Sequence, residues 1–487
     1  MQTKSLKKNA VINIIRVTSN MLFPLLIFPY ISRILGPESL GKVNFASATI
    51  NYFVLFASLG IPTYGAIICA KKRNKDEELK KVICELLYLN IGLTVLSYIL
   101  LLGTVLIIPK YYEYRSLLFI CSLNIFFTAI GMEWLYTALE EFSYITVRSI
   151  FFKFISLILI FLFVHDQDDY LVYAVILCIS TTGSNILNFV YARKFIKFYP
   201  LNELNFKPHL TPILVYFTAS IAATVNGNTD TVMLGFFKGD TAVGLYDFSI
   251  KIKNLLTSFI TAALSVSIPR FSIFIAEKKY QEYKQLFRKV VLLTLAVSVS
   301  LSIFFVCYSK ETILILGGEQ YLKAQGAMIV LTLCIVVLGM TWSLGVGVLQ
   351  PLGREKEYAK VLLLACLVNI TLNAILIPSY GVLGASIATF ITELFNMIMF
   401  YRYTKEFLGD TLKNIGFFKI LVISIVSGYI SLFLTKYMTF PIFIQFVLSF
   451  VLFFVLYGIL LLFFHSEIRF FVRTILDKLK DNRRISF

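Results

Sequence analysis

The sequence predicts an all-α protein that crosses a membrane about fourteen times. Of its 487 residues, 58% are hydrophobic and only 15% are charged, and the mean hydropathy is +0.80. Soluble domains carry roughly 25% charged residues. Apolar runs of about 20 residues, long enough to span a bilayer, recur along the whole chain. Lysine and arginine collect in alternate segments between these runs, as they do in cytoplasmic loops. Lipid is therefore the solvent for most of the chain.

Fourteen apolar runs are predicted to be spanning helices, because a helix satisfies its own backbone hydrogen bonds in lipid. The connecting segments are too short to form a soluble domain. The predicted spans lie near 10–33, 43–70, 82–108, 116–137, 149–165, 171–192, 213–235, 251–276, 290–308, 326–349, 361–378, 384–401, 418–436 and 442–464.

The distribution of basic residues predicts the orientation. With both termini in the cytoplasm, most of the 45 lysines and arginines fall in cytoplasmic segments, with the largest groups at 71–81, 278–289 and 469–484. Adding or removing one span would scramble this asymmetry downstream. The N-terminus is predicted to be an uncleaved first span, because Arg16 interrupts its apolar run and no small-residue cleavage site follows.

The chain contains an internal repeat. The sequence GPESLG from Gly36 matches GDTAVG from Gly239, and IPTYGAIICAKK from Ile61 matches IPRFSIFIAEKK from Ile268. Six predicted spans separate the copies, so the two halves have the same orientation, as in parallel-repeat transporters. We predict a first six-helix lobe at 1–193, a second six-helix lobe at 194–405, and two extra helices with a basic amphipathic tail at 406–487.

Several function classes are disfavoured by composition and motifs. The net charge of +17 fits a positive-inside membrane protein, and no basic soluble module is present to bind nucleic acid. The segment GPESLGKV resembles a P-loop, but Val43 stands where magnesium binding requires Ser or Thr. Its glycines are predicted to form a tight turn between helices. The seven cysteines show no paired spacing and the three histidines are far apart, so no disulfide framework, metal site or cofactor is expected.

Basic residues inside spans are candidate ligands for an anion, because a buried charge is costly unless it faces protein or water. Arg16 in span one and Arg270 in span eight could both face a central cavity, where the arginine fork suits phosphate oxygens. Lys251, at the outer start of span eight, could join them. The alternative is that these side chains extend to the membrane interface.

Acidic residues inside spans are candidates for ion coupling. Asp230 lies in an unusually polar run that includes Asn226 and Asn228, and such a run lines a cavity or packs against partners. Asp230 could carry a coupling ion or bind sugar, and the two asparagines could contact sugar. Glu133 in span four and Glu393 in span twelve are the other candidates. A structural pairing with a basic residue is the alternative for both Asp230 and Glu393.

Four sequence blocks resemble Wzx-type polysaccharide flippases of the MOP exporter superfamily. They begin at Ser32 (SRILGPESLGKVNF), Gly131 (GMEWLYTALEEFSYITVRS), Thr229 (TDTVMLGFFKGDTAVGLYDFSIKIK) and Ile377 (IPSYGVLGASIATFITE). The resemblance extends along nearly the whole chain. It implies two six-helix lobes around a central cavity plus two extra helices. It also implies export of undecaprenyl-diphosphate-linked oligosaccharide units across the bacterial cytoplasmic membrane for capsule, O-antigen or exopolysaccharide assembly.

This resemblance implies a non-enzymatic transporter that works by alternating access, with membrane lipids and other polysaccharide assembly proteins as partners. Arg16 and Arg270 match the placement of arginines in the related peptidoglycan-precursor flippases, although the denser arginine set of that branch is missing. The alternatives are a multidrug or peptidoglycan-precursor exporter of the same superfamily, or a membrane glycan polymerase or acyltransferase. Multidrug exporters usually have twelve spans, and a polymerase would show a large outer loop.

Overall fold

The structure, a computed structural model, describes the backbone of residues 6–470 and the side chains of residues 19, 23, 26–218, 220–262 and 264–470. Over this part of the chain all regular structure is helical. The α-helices are α1 (Leu6–Ser58), α2 (Ile61–Lys72), α3 (Asp76–Ile107), α4 (Pro109–Glu113), α5 (Arg115–Gly131), α6 (Glu133–Ala138), α7 (Phe142–Phe163), α8 (Tyr170–Cys178), α9 (Asn185–Ala192), α10 (Lys207–Lys238), α11 (Asp240–Ser265), α12 (Ile268–Ala276), α13 (Tyr280–Cys307), α14 (Ser309–Leu316), α15 (Gln325–Leu344), α16 (Glu355–Leu408), α17 (Phe417–Thr435) and α18 (Ile442–Phe464).

The helices confirm a multi-pass membrane protein. Within the described residues, ten helices are long and apolar enough to cross a membrane, or eleven if one bent pair in α10 is taken as a single span. Two of the ten are 47 and 58 residues long, so each is long enough to cross twice. Each of the fourteen predicted segments falls on helical structure, and the short helices α4 and α14 lie outside them.

Glycines break the two longest helices. Gly36 interrupts α1 with φ 69° and ψ 177°, and Gly381 interrupts α16 with φ 54° and ψ −126°. A side chain is strongly disfavoured in these conformations, so glycine allows the chain to turn without an intervening loop. Gly239, the repeat equivalent of Gly36, separates α10 from α11 with φ 82° and ψ −173°. The predicted tight turn is therefore confirmed in both copies of the repeat, with the same backbone conformation.

The second matching segment also repeats its local structure. Helix α2 begins at Ile61 after a break at the end of α1, and α12 begins at Ile268 after a break at the end of α11. Both helices carry proline in their first turn, where its missing N–H costs no hydrogen bond. The Ile-Pro pair therefore marks the same helix start in each half of the sequence.

The chain divides into two compact units. The first contains the residues up to Asp247 together with Asn373–Val382, and the second contains Phe248–Leu372 and the residues from Leu383 onward. This division follows packing, whereas the predicted boundaries at 193 and 405 follow the repeat, so the lobe boundaries stay a prediction. Most of the predicted tail helix lies beyond residue 470, outside the described residues.

Candidate functional site

The repeated glycine motifs meet each other in the first unit. A methyl group added at Gly41 would lie 1.9 Å from the carbonyl oxygen of Asp240, and one added at Gly244 would lie 1.8 Å from the carbonyl oxygen of Pro37. Gly41 and Gly244 are equivalent in the repeat, and so are Pro37 and Asp240. The two helix starts therefore pack backbone to backbone, in a reciprocal contact that only glycine permits. We refer to these four residues as the glycine contact.

A hydrogen bond between repeat equivalents lies one helical turn from this contact. The side-chain amide of Asn44 donates to Oδ2 of Asp247 over 2.7 Å, and the two residues are 203 positions apart, as Gly41 and Gly244 are. The two copies of the repeat therefore contact each other through equivalent side chains. The charge pattern predicts that this end of the helices faces the outside of the cell.

Asp230 is buried and hydrogen-bonded from both sides. Its side chain is 7% exposed, within the first unit. Oδ2 accepts a hydrogen bond of 2.5 Å from the hydroxyl of Tyr246, and Oδ1 accepts one from the side-chain amide of Asn373. The neighbouring Thr229 hydroxyl lies 2.7 Å from that of Tyr52. The carboxylate is thus held between α10, the start of α11 and the middle of α16, and each oxygen accepts at least one hydrogen bond.

A cavity of about 410 Å³ lies between the second half of α1, the start of α2 and the middle of α10. Its lining combines amide and hydroxyl groups with aliphatic side chains and includes no charged residue. The side-chain amide of Asn51 donates to Oδ1 of Asn228 across this cavity over 2.9 Å. Amides and hydroxyls both donate and accept hydrogen bonds, so the wall suits an uncharged polyhydroxyl group. The lining residues are Asn51, Val54, Leu55, Ser58, Leu59, Pro62, Ser220, Ala223, Thr224 and Asn228.

The structure brings together some of the predicted site residues. Asn228 and Asp230 are two positions apart on α10. Asn228 lies on the cavity wall. Asp230 is buried, where it accepts hydrogen bonds from Tyr246 and Asn373. Asn226, on the same helix, is exposed. Glu133 is exposed at the first position of α6.

The remaining candidates belong to the second unit or lie outside the described side chains. Arg270 is exposed at the third position of α12, and Lys251 is half-buried on α11. Glu393 is half-buried and lies within electrostatic range of Lys253, an arrangement that favours structural pairing. The side chain of Arg16 is outside the described set. The anion site formed by the two arginines stays a prediction.

Sequence reasoning missed the partners of Asp230. Tyr246 and Asn373 are 16 and 143 positions away from it. Tyr246 lies in the family-like block that begins at Thr229, but nothing in that block marks it as a partner of Asp230. The pair Asn44 and Asp247 could have been found, because both are polar residues at equivalent positions of the repeat.

The fold defines a class of protein: a polytopic helical membrane protein whose sequence contains an internal repeat. A solved structure titled "Lipid II flippase MurJ, inward closed conformation" superposes with a TM-score of 0.75, covering 94% of this chain and 99% of that chain at 16% identity. At that identity the likeness shows the fold alone.

Sequence comparison then gives the family. The family model described as "Polysaccharide biosynthesis protein" matches residues 6–275, more than half of the chain, and the chain belongs to that family. A second model, MatE, matches residues 216–375. The sequence is 24% identical over 406 residues to a protein of Escherichia coli strain K12 named "Putative O-antigen transporter", covering 82% of this chain and 98% of that protein. It is 20% identical to the capsular polysaccharide biosynthesis protein CapF of Staphylococcus aureus, covering 78% and 94%.

Proposed function

We propose that the protein is a flippase that carries undecaprenyl-diphosphate-linked oligosaccharide units across the bacterial cytoplasmic membrane, for assembly of capsule, O-antigen or exopolysaccharide. The observation that carries this proposal is the open cavity at Asn51 and Asn228, whose lining combines amide and hydroxyl groups with aliphatic side chains and lies on helices of the predicted membrane spans. Such a wall can exchange hydrogen bonds with sugar hydroxyls in a place where lipid offers none. Family membership and the names of the two relatives support the same substrate class.

Transport is proposed to follow alternating access. The glycine contact and the Asn44–Asp247 hydrogen bond hold two helix starts of the first unit together at its predicted outer end, and this contact supports a closure there. Two helix starts packed backbone to backbone are either in contact or apart, with no stable arrangement in between. Such a contact therefore suits a closure with two states. Opening it would expose the polar groups near Asp230 and Asn228 to the outside.

The proposed roles divide by chemistry. Arg16 and Arg270, with Lys251, would bind the diphosphate, because bidentate guanidinium groups match phosphate oxygens. Asn226 and Asn228 would contact sugar near the exit. Ion coupling is assigned to the carboxylates of Asp230, Glu133 and Glu393, since a carboxylate that changes between buried and wet states can bind and release a cation.

Two alternative functions are a peptidoglycan-precursor flippase and a multidrug exporter. A peptidoglycan-precursor flippase shares the lipid-diphosphate chemistry, and the superposition on MurJ supports the same fold for both. A multidrug exporter shares the MatE match but would need no sugar-binding wall. The relative from Escherichia coli is named a transporter, which supports a role other than catalysis.

The proposal is tested by deleting the gene and analysing lipid-linked intermediates. Loss of transport should remove surface glycan and leave the complete lipid-linked unit on the cytoplasmic face. Complementation with the wild-type gene should restore surface glycan. An Asn51→Leu variant should restore less, because it replaces the amide in the cavity by an apolar group. The matched control is Asn74→Leu, in the exposed loop before α3. Normal glycan in the deletion strain would exclude this function.

A further inference from the structure

Three ionisable side chains form a buried cluster at the end of the first unit that the charge pattern predicts to be cytoplasmic. They are Tyr64 on α2, Glu85 on α3 and His209 on α10, and their exposed fractions are 8%, 5% and 5%. None of them has a part in the roles proposed above. We refer to them as the polar triad.

The triad is continuous. Nε2 of His209 lies 2.8 Å from Oε2 of Glu85, and the hydroxyl of Tyr64 lies 2.8 Å from Nδ1 of His209. Oε1 of Glu85 accepts a 2.9 Å hydrogen bond from the backbone N–H of Asn205. Glu85 therefore binds both the first turn of α10 and the segment 193–206 that precedes it. That segment lies between the sixth and seventh predicted spans.

The start of α10 also packs closely on the break between α1 and α2. A methyl group added at Gly60 would lie 2.2 Å from the carbonyl oxygen of Ile213. The start of α10 therefore makes two contacts here, with Gly60 just before α2 through Ile213 and with Tyr64 on α2 through His209. Because the second contact is part of the triad, α10 cannot separate from α2 here without breaking the triad.

The hydrogen bonds between the three side chains of the triad can form in two protonation states. With a neutral imidazole, the Nε2–H group donates to the carboxylate and Tyr64 donates to Nδ1. With one more proton, both ring nitrogens donate and the Tyr64 oxygen accepts. The protonated triad has no net charge, whereas the other state leaves the carboxylate uncompensated. Among residues 26–470, His209 is the only basic side chain within ion-pair distance of Glu85. The other titratable neighbours are Cys69 on α2 and Cys84 on α3.

We propose that the polar triad is a proton-binding site that links proton occupancy to the attachment of α10 and the preceding segment to α2 and α3. The imidazolium adds charge attraction to the existing hydrogen bonds, so acid strengthens this attachment and loss of the proton weakens it. Its contribution to transport rests on the proposed function; proton binding itself does not.

Proton binding can be measured directly, because the chain has only three histidines. Protein labelled with ¹³C-histidine is titrated by NMR between about pH 5 and about pH 8. The His209 signal is identified by its loss in His209→Gln. We expect the pH dependence of the His209 signal to change in Glu85→Gln, because the carboxylate that contacts its Nε2 is lost, but not in His165→Gln, which changes an exposed loop histidine. A His209 signal that does not titrate, or that ignores Glu85→Gln, would overturn the proposal.

The attachment is measured by thiol labelling. Leu204→Cys places a thiol at a half-buried position of the segment before α10, where attachment restricts access, and Lys75→Cys provides an exposed reference on the same predicted side. The ratio of their labelling rates cancels the effect of pH on thiol chemistry, and protein without an added cysteine gives the background. We expect the ratio to fall at least about threefold from about pH 8 to about pH 5.5 in the parent protein and to stay constant in His209→Gln. Equal ratios at both pH values would contradict the proposal.

These readouts need no glycan substrate, so they separate this inference from the proposed function. If Glu85→Gln does not fold, Tyr64→Phe removes a single hydroxyl and should reduce the pH response of the labelling ratio. In transport-competent vesicles, His209→Gln should flatten the pH profile of transport. An unchanged profile would overturn the link to transport and leave the binding measurement as it stands.

Discussion

The two oxygens of the Asp230 carboxylate accept hydrogen bonds from different helices, one from Tyr246 and the other from Asn373. Hydrogen bonds to a charged acceptor stabilise it in a place where water is scarce. The sequence indicated that Asp230 was unusual, because the surrounding run is too polar to face lipid. It could not indicate the two donors, because Tyr246 and Asn373 are 16 and 143 positions away and only the folded first unit brings them to Asp230.

Replacing Asp230 by Asn tests its role in coupling. The amide is close in size to the carboxylate and mimics a permanently neutral state, so we expect the variant to fold and to bind substrate but to lose gradient-dependent turnover. Reconstituted vesicles with an imposed pH or sodium gradient measure this. Asp166→Asn, in an exposed loop, is the matched control. Full gradient-driven transport by Asp230→Asn would exclude this residue as the coupling group.

Replacing Arg16 or Arg270 by Ala tests the proposed anion site. Each change should abolish surface glycan while the protein remains in the membrane, because the diphosphate loses a bidentate partner. Lysine at the same position should rescue only in part, since an ammonium group cannot reproduce the planar pair of donors. Surface glycan is measured in the deletion strain, with Arg115→Ala on the predicted outer side as control. Normal export by either Ala variant would mean that the replaced arginine extends to the membrane interface and does not bind the substrate.

Among the helices, the repeated glycine motifs predict the local turns but not the contact between the two helix starts. The spacing of Gly36 and Gly239 was enough to predict a tight turn, because a positive φ is a local property of the backbone. The reciprocal packing of Gly41 and Gly244 was not predicted, because it depends on how two distant helix starts meet.

Gly41→Ala tests the packing of these helices. The added methyl group would meet the Asp240 carbonyl, which is backbone and cannot rotate away. Overpacking of this kind typically costs about 1–3 kcal/mol. We therefore expect a lower thermal unfolding midpoint in detergent for Gly41→Ala. Gly103→Ala is the matched control, because a methyl group there meets no atom within 4 Å and favours the helix. Equal midpoints for the two variants would show that the helix starts separate easily.

A disulfide between positions 44 and 247 tests whether the closure must open. Asn44→Cys combined with Asp247→Cys places two thiols where the side chains are hydrogen-bonded. Oxidation should stop transport in vesicles and a reductant should restore it, because alternating access requires the helix starts to part. Each single-cysteine variant under the same oxidant is the control. Transport that continues with the crosslink fully formed would exclude an opening at this point.

For the whole molecule, apolar runs and basic loops carry most of what can be predicted. Hydropathy located fourteen segments that all fall on helices, because lipid leaves the backbone few other structures. The division into compact units was not predictable in the same way. The second unit begins inside α11, and Asn373–Val382 joins the first unit, so packing crosses the boundaries that the repeat suggests.

The orientation of the molecule gives the last prediction. Fourteen spans with both termini in the cytoplasm place Gln167 outside and Lys75 inside, and both residues are exposed. A cysteine at Gln167 should therefore react with a membrane-impermeant maleimide added to whole cells, whereas a cysteine at Lys75 should react only after the membrane is opened. The parent protein supplies the background, since six of its seven cysteines are buried. The two positions are separated by an odd number of predicted spans, so an error of one span between them would place both on the same side. Equal labelling would thus refute the span count in this region, and reversed labelling would refute the orientation. Only the expected pattern places the polar triad in the cytoplasmic half and the glycine contact in the outer half.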